Sequence, residues 1–239
     1  MRVDDEPAFI LHARPYRETS LLLECLTRGH GRVGIIARGV RRERSRYPRG
    51  VLQPLQPLRL GWMGGGELFT LVGAETSEAP LRMAGERLYS AMYLNELVLR
   101  LCARGDPHSD LFEHYDVCLQ RLAAGEPQAW TLRRFERDLM TDLGYGLVLD
   151  RDCETGLPIS SEVVYAYVID SGPQAWRGDA MSIQVSGAAL LALARDAMPD
   201  PEQGVELRRL MRTLLQQQLG GGTLNAWALR SSRPSRPTR

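Results

Sequence analysis

The chain of 239 residues carries a formal net charge of +1, with 25% charged and 44% hydrophobic residues, an ordinary balance for one large or two small globular domains. All 30 basic residues are arginine, which excludes a P-loop ATPase and Schiff-base or pyridoxal chemistry, because each of these requires a lysine. With no apolar run of about 18 residues, no leader-like core in the start MRVDDEPAF, and cysteines only at 25, 102, 118 and 153 with no C-x-x-C pair, the expectation is a reduced cytoplasmic chain without metal, cofactor or membrane span.

The first 80 residues read as short strands: 8–12, 18–27, 31–38, 55–62 and 67–75. Arg14-Pro15, Gly29-His30-Gly31, Pro54, Pro57 and Gly64-Gly65-Gly66 punctuate them. Alternation is clearest in Leu58-Arg59-Leu60-Gly61-Trp62. Five strands in so short a stretch suit a small OB-type barrel rather than a sandwich. The fold class expected is α+β, with this barrel at 1–80 and a helical domain at 81–230.

From residue 81 the period becomes helical. Residues 86–103 carry Leu88, Tyr89, Met92, Tyr93, Leu97 and Leu101 with further apolar residues around the axis, predicting a helix buried on most sides. The next helix starts at Asp106-Pro107, read as N-cap and N1. Leu111, Tyr115, Cys118 and Leu122 line one face, and Gly125 ends it. A third runs from about Pro127 to Leu143 with Leu132, Phe135, Leu139 and Leu143 on one face. Residues 147–185 predict a small irregular insertion with short strands, including 163–169. Helices near 186–197 and 201–219 follow, stopped by Gly220-Gly221-Gly222. The tail 231–239 (SSRPSRPTR) reads as disordered.

Charge is unevenly distributed. Residues 10–60 hold 11 arginines against three acids, Glu18, Glu24 and Glu43. Residues 81–200 hold 11 arginines against 18 acids, and 201–239 hold seven against two. Two basic ends around an acidic middle suit a polyanionic partner. The densest stretch is ARGVRRERSRYPRG, residues 37–50, with Arg38, Arg41, Arg42, Arg44, Arg46 and Arg49. A basic loop of this kind is either a solvated charge run or a phosphate-binding surface. Its place inside a barrel of oligonucleotide-binding type favours the second reading. Arg14, Arg17, Arg32 and Arg59 add charge on neighbouring elements, and Tyr16 and Tyr47 could stack on bases.

Two other constellations stand out. Asp150, Asp152 and Glu154 alternate in LDRDCETG and could hold Mg²⁺ in a nuclease; a solvated acidic loop is the simpler reading. Arg133 and Arg134 flank Phe135 on an apolar helix face. They either pair with acids about one turn away or form a groove for an acidic, hydrophobic peptide end.

AFILHARPYRETSLLLECLTRGHGRVGIIARGVRR closely resembles the start of the bacterial RecO recombination-mediator family, and LQPLQPLRLGW resembles its fourth strand. YLNELVLRL (93–101), LRRFERDLMTDLGYGL (132–147) and QLGGGTL (218–224) resemble its helical domain, in order. The resemblance implies an OB domain followed by helices, and a non-enzymatic role. It implies binding of single- and double-stranded DNA, ATP-independent annealing, and work with RecR, and often RecF, to load RecA on strands coated by single-stranded DNA-binding protein (SSB). It also implies docking of the acidic SSB C-terminal tail on the helical domain, by position at Arg133, Arg134, Phe135 and Leu139. A chain that is a monomer alone and works at the nucleoid is expected, with RNA-binding OB protein and metal-dependent nuclease as alternatives. Some relatives carry a four-cysteine zinc module after LGYGL; here only Cys153 stands there. Where the family often has basic residues after its LGG, this chain has Thr223, Asn225 and Ala226, then Trp227, with Arg230 beyond.

Overall fold

A computed structural model describes residues 1–45, 47, 50–178 and 182–226. The chain forms two compact units, one of residues 1–124 joined by the segment from Leu224, the other of residues 125–223.

In the first unit, β1 (Arg2–Tyr16), β2 (Ser20–Thr27), β3 (Gly31–Ala37), β4 (Pro57–Met63) and β5 (Leu68–Thr76) close into a barrel in the order β1-β2-β3-β5-β4. All neighbours are antiparallel except β3 and β5. This is the expected OB-type barrel. The inward faces alternate as the strand period requires: Ala8, Ile10, Leu23, Cys25, Val33, Ile35, Leu58, Leu60 and Trp62 fill the core.

β1 begins at Arg2, six residues before the start read from sequence, and continues through Pro15 to Tyr16. Its exposed polar first residues hide the strand signal, yet they pair with β4, Arg2 opposite Met63 and Val3 opposite Trp62. Two register shifts let one long strand serve both neighbours. One lies between Val3 and Glu6, where Asp5 takes φ 59°. The other lies between Ile10 and His12. There the Leu11 carbonyl accepts from Asn95 Nδ2 at 2.7 Å, and the Ile10 carbonyl accepts from the Leu55 N–H at 3.3 Å.

Helices α1 (Glu86–Leu101) and α2 (Ser109–Ala124) pack on the outside of this barrel. Phe9 of β1 lies 5.4 Å from the Phe112 ring and 5.1 Å from the Tyr115 ring, centroid to centroid. Tyr115 donates to Asn95 Oδ1 at 2.5 Å, so one buried polar chain joins strand, α1 and α2. Leu111, Tyr115, Cys118 and Leu122 are buried as their spacing predicts.

Two helix expectations are corrected. α1 is buried broadly only from Ser90 onward: Tyr93 and Leu97 are buried as expected, with Ser90, Ala91, Leu94, Asn95 and Val98, but Leu88, Tyr89 and Met92 are about 40% exposed. α2 starts at Ser109 rather than at Asp106-Pro107. The segment before it is tied to β3, where the Gly105 N–H donates to the Arg32 carbonyl at 2.9 Å. Gly31 has φ 62°, and a Cβ there would sit 2.0 Å from the Asp106 carbonyl oxygen.

In the second unit, α3 (Gln128–Asp142) is followed by a three-stranded sheet of order β7-β6-β8, made of β6 (Val164–Val168), β7 (Gly172–Ala175) and β8 (Ile183–Ser186), then α4 (Gly187–Ala194) and α5 (Pro201–Gln218). α5 opens with Pro201 and a reciprocal capping box between Asp200 and Gln203, the strongest local start signal available to a helix. Phe135, Leu139, Tyr165, Val185, Leu193, Leu210 and Met211 are buried in this unit.

Candidate nucleic-acid interface

The basic stretch lies between β3 and β4, as expected, but it is not a loose charge run. Val40, Tyr47 and Leu52 are buried and join the barrel core, with Val51 packed against them. These apolar residues hold the segment against one end of the barrel. Arg38, Arg41, Arg42 and Arg44 are exposed. Arg46 and Arg49 lie outside the described residues. Tyr47 is 9% exposed, so the suggestion that it stacks on bases is corrected: its ring is a core side chain.

Strand register brings Arg14 and Arg17 to the same end. Arg17 sits in the β1–β2 turn with φ 53°. Tyr16 pairs with Ser20, and Leu21 pairs with Ala37 immediately before Arg38. The Arg41 N–H donates to the Thr19 carbonyl at 2.9 Å, tying the basic segment directly to that turn. Arg14 lies one step further in, opposite Leu22, which itself pairs with Ile36. Both Arg14 and Arg17 are exposed, and the Arg17 guanidinium lies 5.3 Å from the Tyr16 ring centroid.

The six described arginines at this end contrast with those that are ion-paired elsewhere in the fold. Among the described residues, none of Arg14, Arg17, Arg38, Arg41, Arg42 and Arg44 makes an ion pair. Elsewhere Arg28 holds Glu113, Arg100 holds Glu96, Arg104 holds Glu24 and Arg177 holds Glu154. Two other nominated residues are engaged inside the fold. Arg59 grips Asp5 through both its carboxylate and its carbonyl, and each group shifts the other: Asp5 is held below the usual carboxylate range by hydrogen bonding to Arg59, and Arg59 is raised by the same bond. Arg32 donates to the Leu99 carbonyl at the end of α1. An unpaired guanidinium keeps its donor fork available for a phosphate, whereas a paired one must first give up a carboxylate.

The second constellation is arranged differently. Phe135 and Leu139 are core side chains, 2% and 0% exposed. Arg133 is paired with the fully buried Glu136. Arg134 bridges Glu126 at 2.7 Å and Asp196 at 3.2 Å and lies 5.8 Å from the Trp130 ring centroid. Arg137 completes the cluster through the Leu193 carbonyl at 2.7 Å, Asp138 at 2.8 Å and Asp196 at 3.2 Å. Sequence reading missed Glu126, Asp196 and Arg137, because Asp196 is remote in sequence and only the packed unit brings it to α3.

The acidic loop is built as a turn. Asp152 Oδ1 accepts from the Glu154 N–H at 2.8 Å and the Thr155 N–H at 3.0 Å, and these amides hold its carboxyl below the usual range. Glu154 pairs with Arg177 at 2.6 Å. Among the described residues no group of three metal-ligating side chains converges, and no helix is long and apolar enough to cross a membrane.

The class these features define is an OB-barrel protein carrying a helical region and an unneutralised arginine end. Residues 1–80 match the family model "Recombination protein O N terminal" and residues 82–228 match "Recombination protein O C terminal". The chain is 44% identical to the DNA repair protein RecO of Nitrosococcus oceani, over 96% of this chain and 93% of that one. It is 42% identical to the RecO of a Stenotrophomonas maltophilia strain, over 96% and 97%, and 41% identical to that of an Azoarcus species, over 94% of each. The chain belongs to the RecO family of DNA repair proteins.

Proposed function

We propose that the chain is a non-enzymatic recombination mediator that binds single- and double-stranded DNA through the arginine end of its barrel. It anneals complementary strands without ATP and, with RecR and RecF, helps load RecA on SSB-coated strands. The observation that carries the DNA reading is the set of six exposed, unpaired arginines fixed at one end of an OB barrel. Annealing needs no bond chemistry: cationic side chains offset phosphate repulsion between two strands, and base pairing supplies the specificity. The test is annealing of complementary labelled strands, each coated with cognate SSB, in the absence of nucleotide. Acceleration that is lost on replacing Arg41, Arg42 and Arg44 with alanine supports the reading. No acceleration, or Mg²⁺-dependent cleavage abolished by Asp152→Ala, overturns it.

The SSB-tail site is assigned to Arg134. The Arg134 side chain is itself only 11% exposed, but its two carboxylate partners are each 42% exposed, so the terminal carboxylate of an incoming tail would reach the guanidinium by displacing one of them. Arg133, held by Glu136, and the core residues Phe135 and Leu139 support that position rather than touch the tail. Arg134→Ala weakens tail-peptide binding and leaves naked-DNA binding intact. Equal loss of both would mean a folding defect and sink the assignment.

A further inference from the structure

We infer that the barrel grips nucleic acid by its phosphates alone and leaves the bases off the protein, turned toward a second strand. The inference rests on the DNA reading above and deepens it.

OB barrels commonly take a single strand across the outer face of strands 2 and 3, where aromatic side chains stack on bases. In this chain that face is occupied. On β2 the outward residues Leu22 and Leu26 are 5% and 2% exposed. Glu24 between them is bound by Arg104, with Arg104 Nε at 3.2 Å. On β3 the Arg104 guanidinium lies over Gly34, where an added Cβ would be 3.2 Å from the guanidinium carbon. Arg32, the next outward residue, is turned to the Leu99 carbonyl. Phe9 is covered by Phe112 and Tyr115. Among the described residues, a base has no open aromatic platform on this surface.

Among the described residues, the arginine end offers no fully open aromatic ring in its place. Tyr47 is buried in the core, and Tyr16 is half-buried with the Arg17 guanidinium on its ring. What the described part of the end presents is guanidinium groups, whose donor forks take phosphate oxygens whatever base is attached; stacking of the same groups on bases is the alternative that the abasic strand tests. A strand held this way keeps its pairing edges free, the state from which a complementary strand can pair directly.

The test compares two labelled oligonucleotides of equal length, one of thymidine and one with most thymidines replaced by an abasic tetrahydrofuran unit, over a salt series. Equal affinity within about twofold and the same salt slope are expected, since each phosphate contact contributes the same increment of about −0.7 on a single strand. A 2-aminopurine placed mid-strand should keep its fluorescence on binding. Tenfold or greater loss of affinity for the abasic strand, or strong quenching of 2-aminopurine, overturns the inference and leaves DNA binding itself standing. Failure to bind either oligonucleotide would instead remove the DNA reading on which it rests. Tyr16→Ala is the second variant: unchanged affinity supports phosphate-only contact, and a tenfold loss confined to the base-bearing oligonucleotide refutes it.

Discussion

Replacing Arg41, Arg42 and Arg44 with alanine separates a phosphate-binding end from an incidental basic loop. The three side chains are exposed and make no ion pair among the described residues, so their loss removes no internal contact and folding stability should stay within about 0.5 kcal/mol. If all six arginines of the end meet phosphate, the log–log salt slope on duplex DNA is about −5.4, and removing three brings it to about −2.7. Between about 50 and about 200 mM salt the parent would then weaken roughly 2,000-fold and the variant only about 40-fold. Fluorescence anisotropy of a labelled duplex measures both slopes, and a thermal melt confirms the fold. The control is Asp5→Asn with Arg59→Ala, which removes an ion pair without changing net charge and should leave the slope within about one contact. An unchanged slope in the triple variant, or an equal change in the control, would refute the reasoning, because pairing within the fold would then not decide which arginines reach the DNA.

Asn95→Ala should cost about 2–3 kcal/mol in urea denaturation, since it strips a buried donor from the Leu11 carbonyl at the β1 irregularity; Tyr115→Phe, which removes one hydroxyl, should cost about 1 kcal/mol. Tyr47→Ala should cost about 3 kcal/mol by opening a cavity in the barrel core, and it should also weaken DNA binding by loosening the segment that carries the arginines. Gly31→Ala should cost about 1–2 kcal/mol from the left-handed backbone alone, with the Asp106 carbonyl clash added, seen as a lowered Tm or loss of soluble protein. Asp152 is held below its ordinary range, so its ionised form stabilises the fold above about pH 4 and that contribution disappears as pH falls through the folded value. Asp152→Asn should therefore lower Tm at pH 7 and converge with the parent in acid.

Much of the architecture is legible because it depends on period and punctuation. Alternation around Leu58 to Trp62, the apolar face of Leu111 to Leu122, and Asp200-Pro201 before a periodic run each signal their elements locally. The arginine cluster is only half legible. Counting shows that the stretch 37–50 is basic, but whether a given guanidinium is available depends on strand register. Arg59 faces Asp5 across two strands, and Arg32 meets the end of α1; neither relation is written in their neighbours. Tyr47 reads as a candidate for stacking because it sits among arginines, while its burial follows from barrel closure. The start of β1 is hidden for a similar reason: its first residues are polar and exposed, and the pairing that makes them a strand comes from β4, more than fifty positions away. Arg133 and Arg134 look alike in sequence, yet one holds a buried acid and the other spans two accessible ones.

The joining of the β1–β2 turn to the basic segment at Thr19 and Arg41 has an energetic corollary. Closing the barrel brings Arg14 and Arg17 beside Arg38, Arg41, Arg42 and Arg44, two groups that the extended chain would keep apart, so the native fold carries a net local repulsion, moderated by Glu18 and Glu43 in the same two segments. On the proposed reading, a polyanion at that end would relieve it and bind the closed barrel in preference to the open chain, coupling occupancy to stability. Thermal denaturation in the presence of inorganic polyphosphate would report this coupling directly, with the melting temperature rising for the parent and much less for the triple alanine variant.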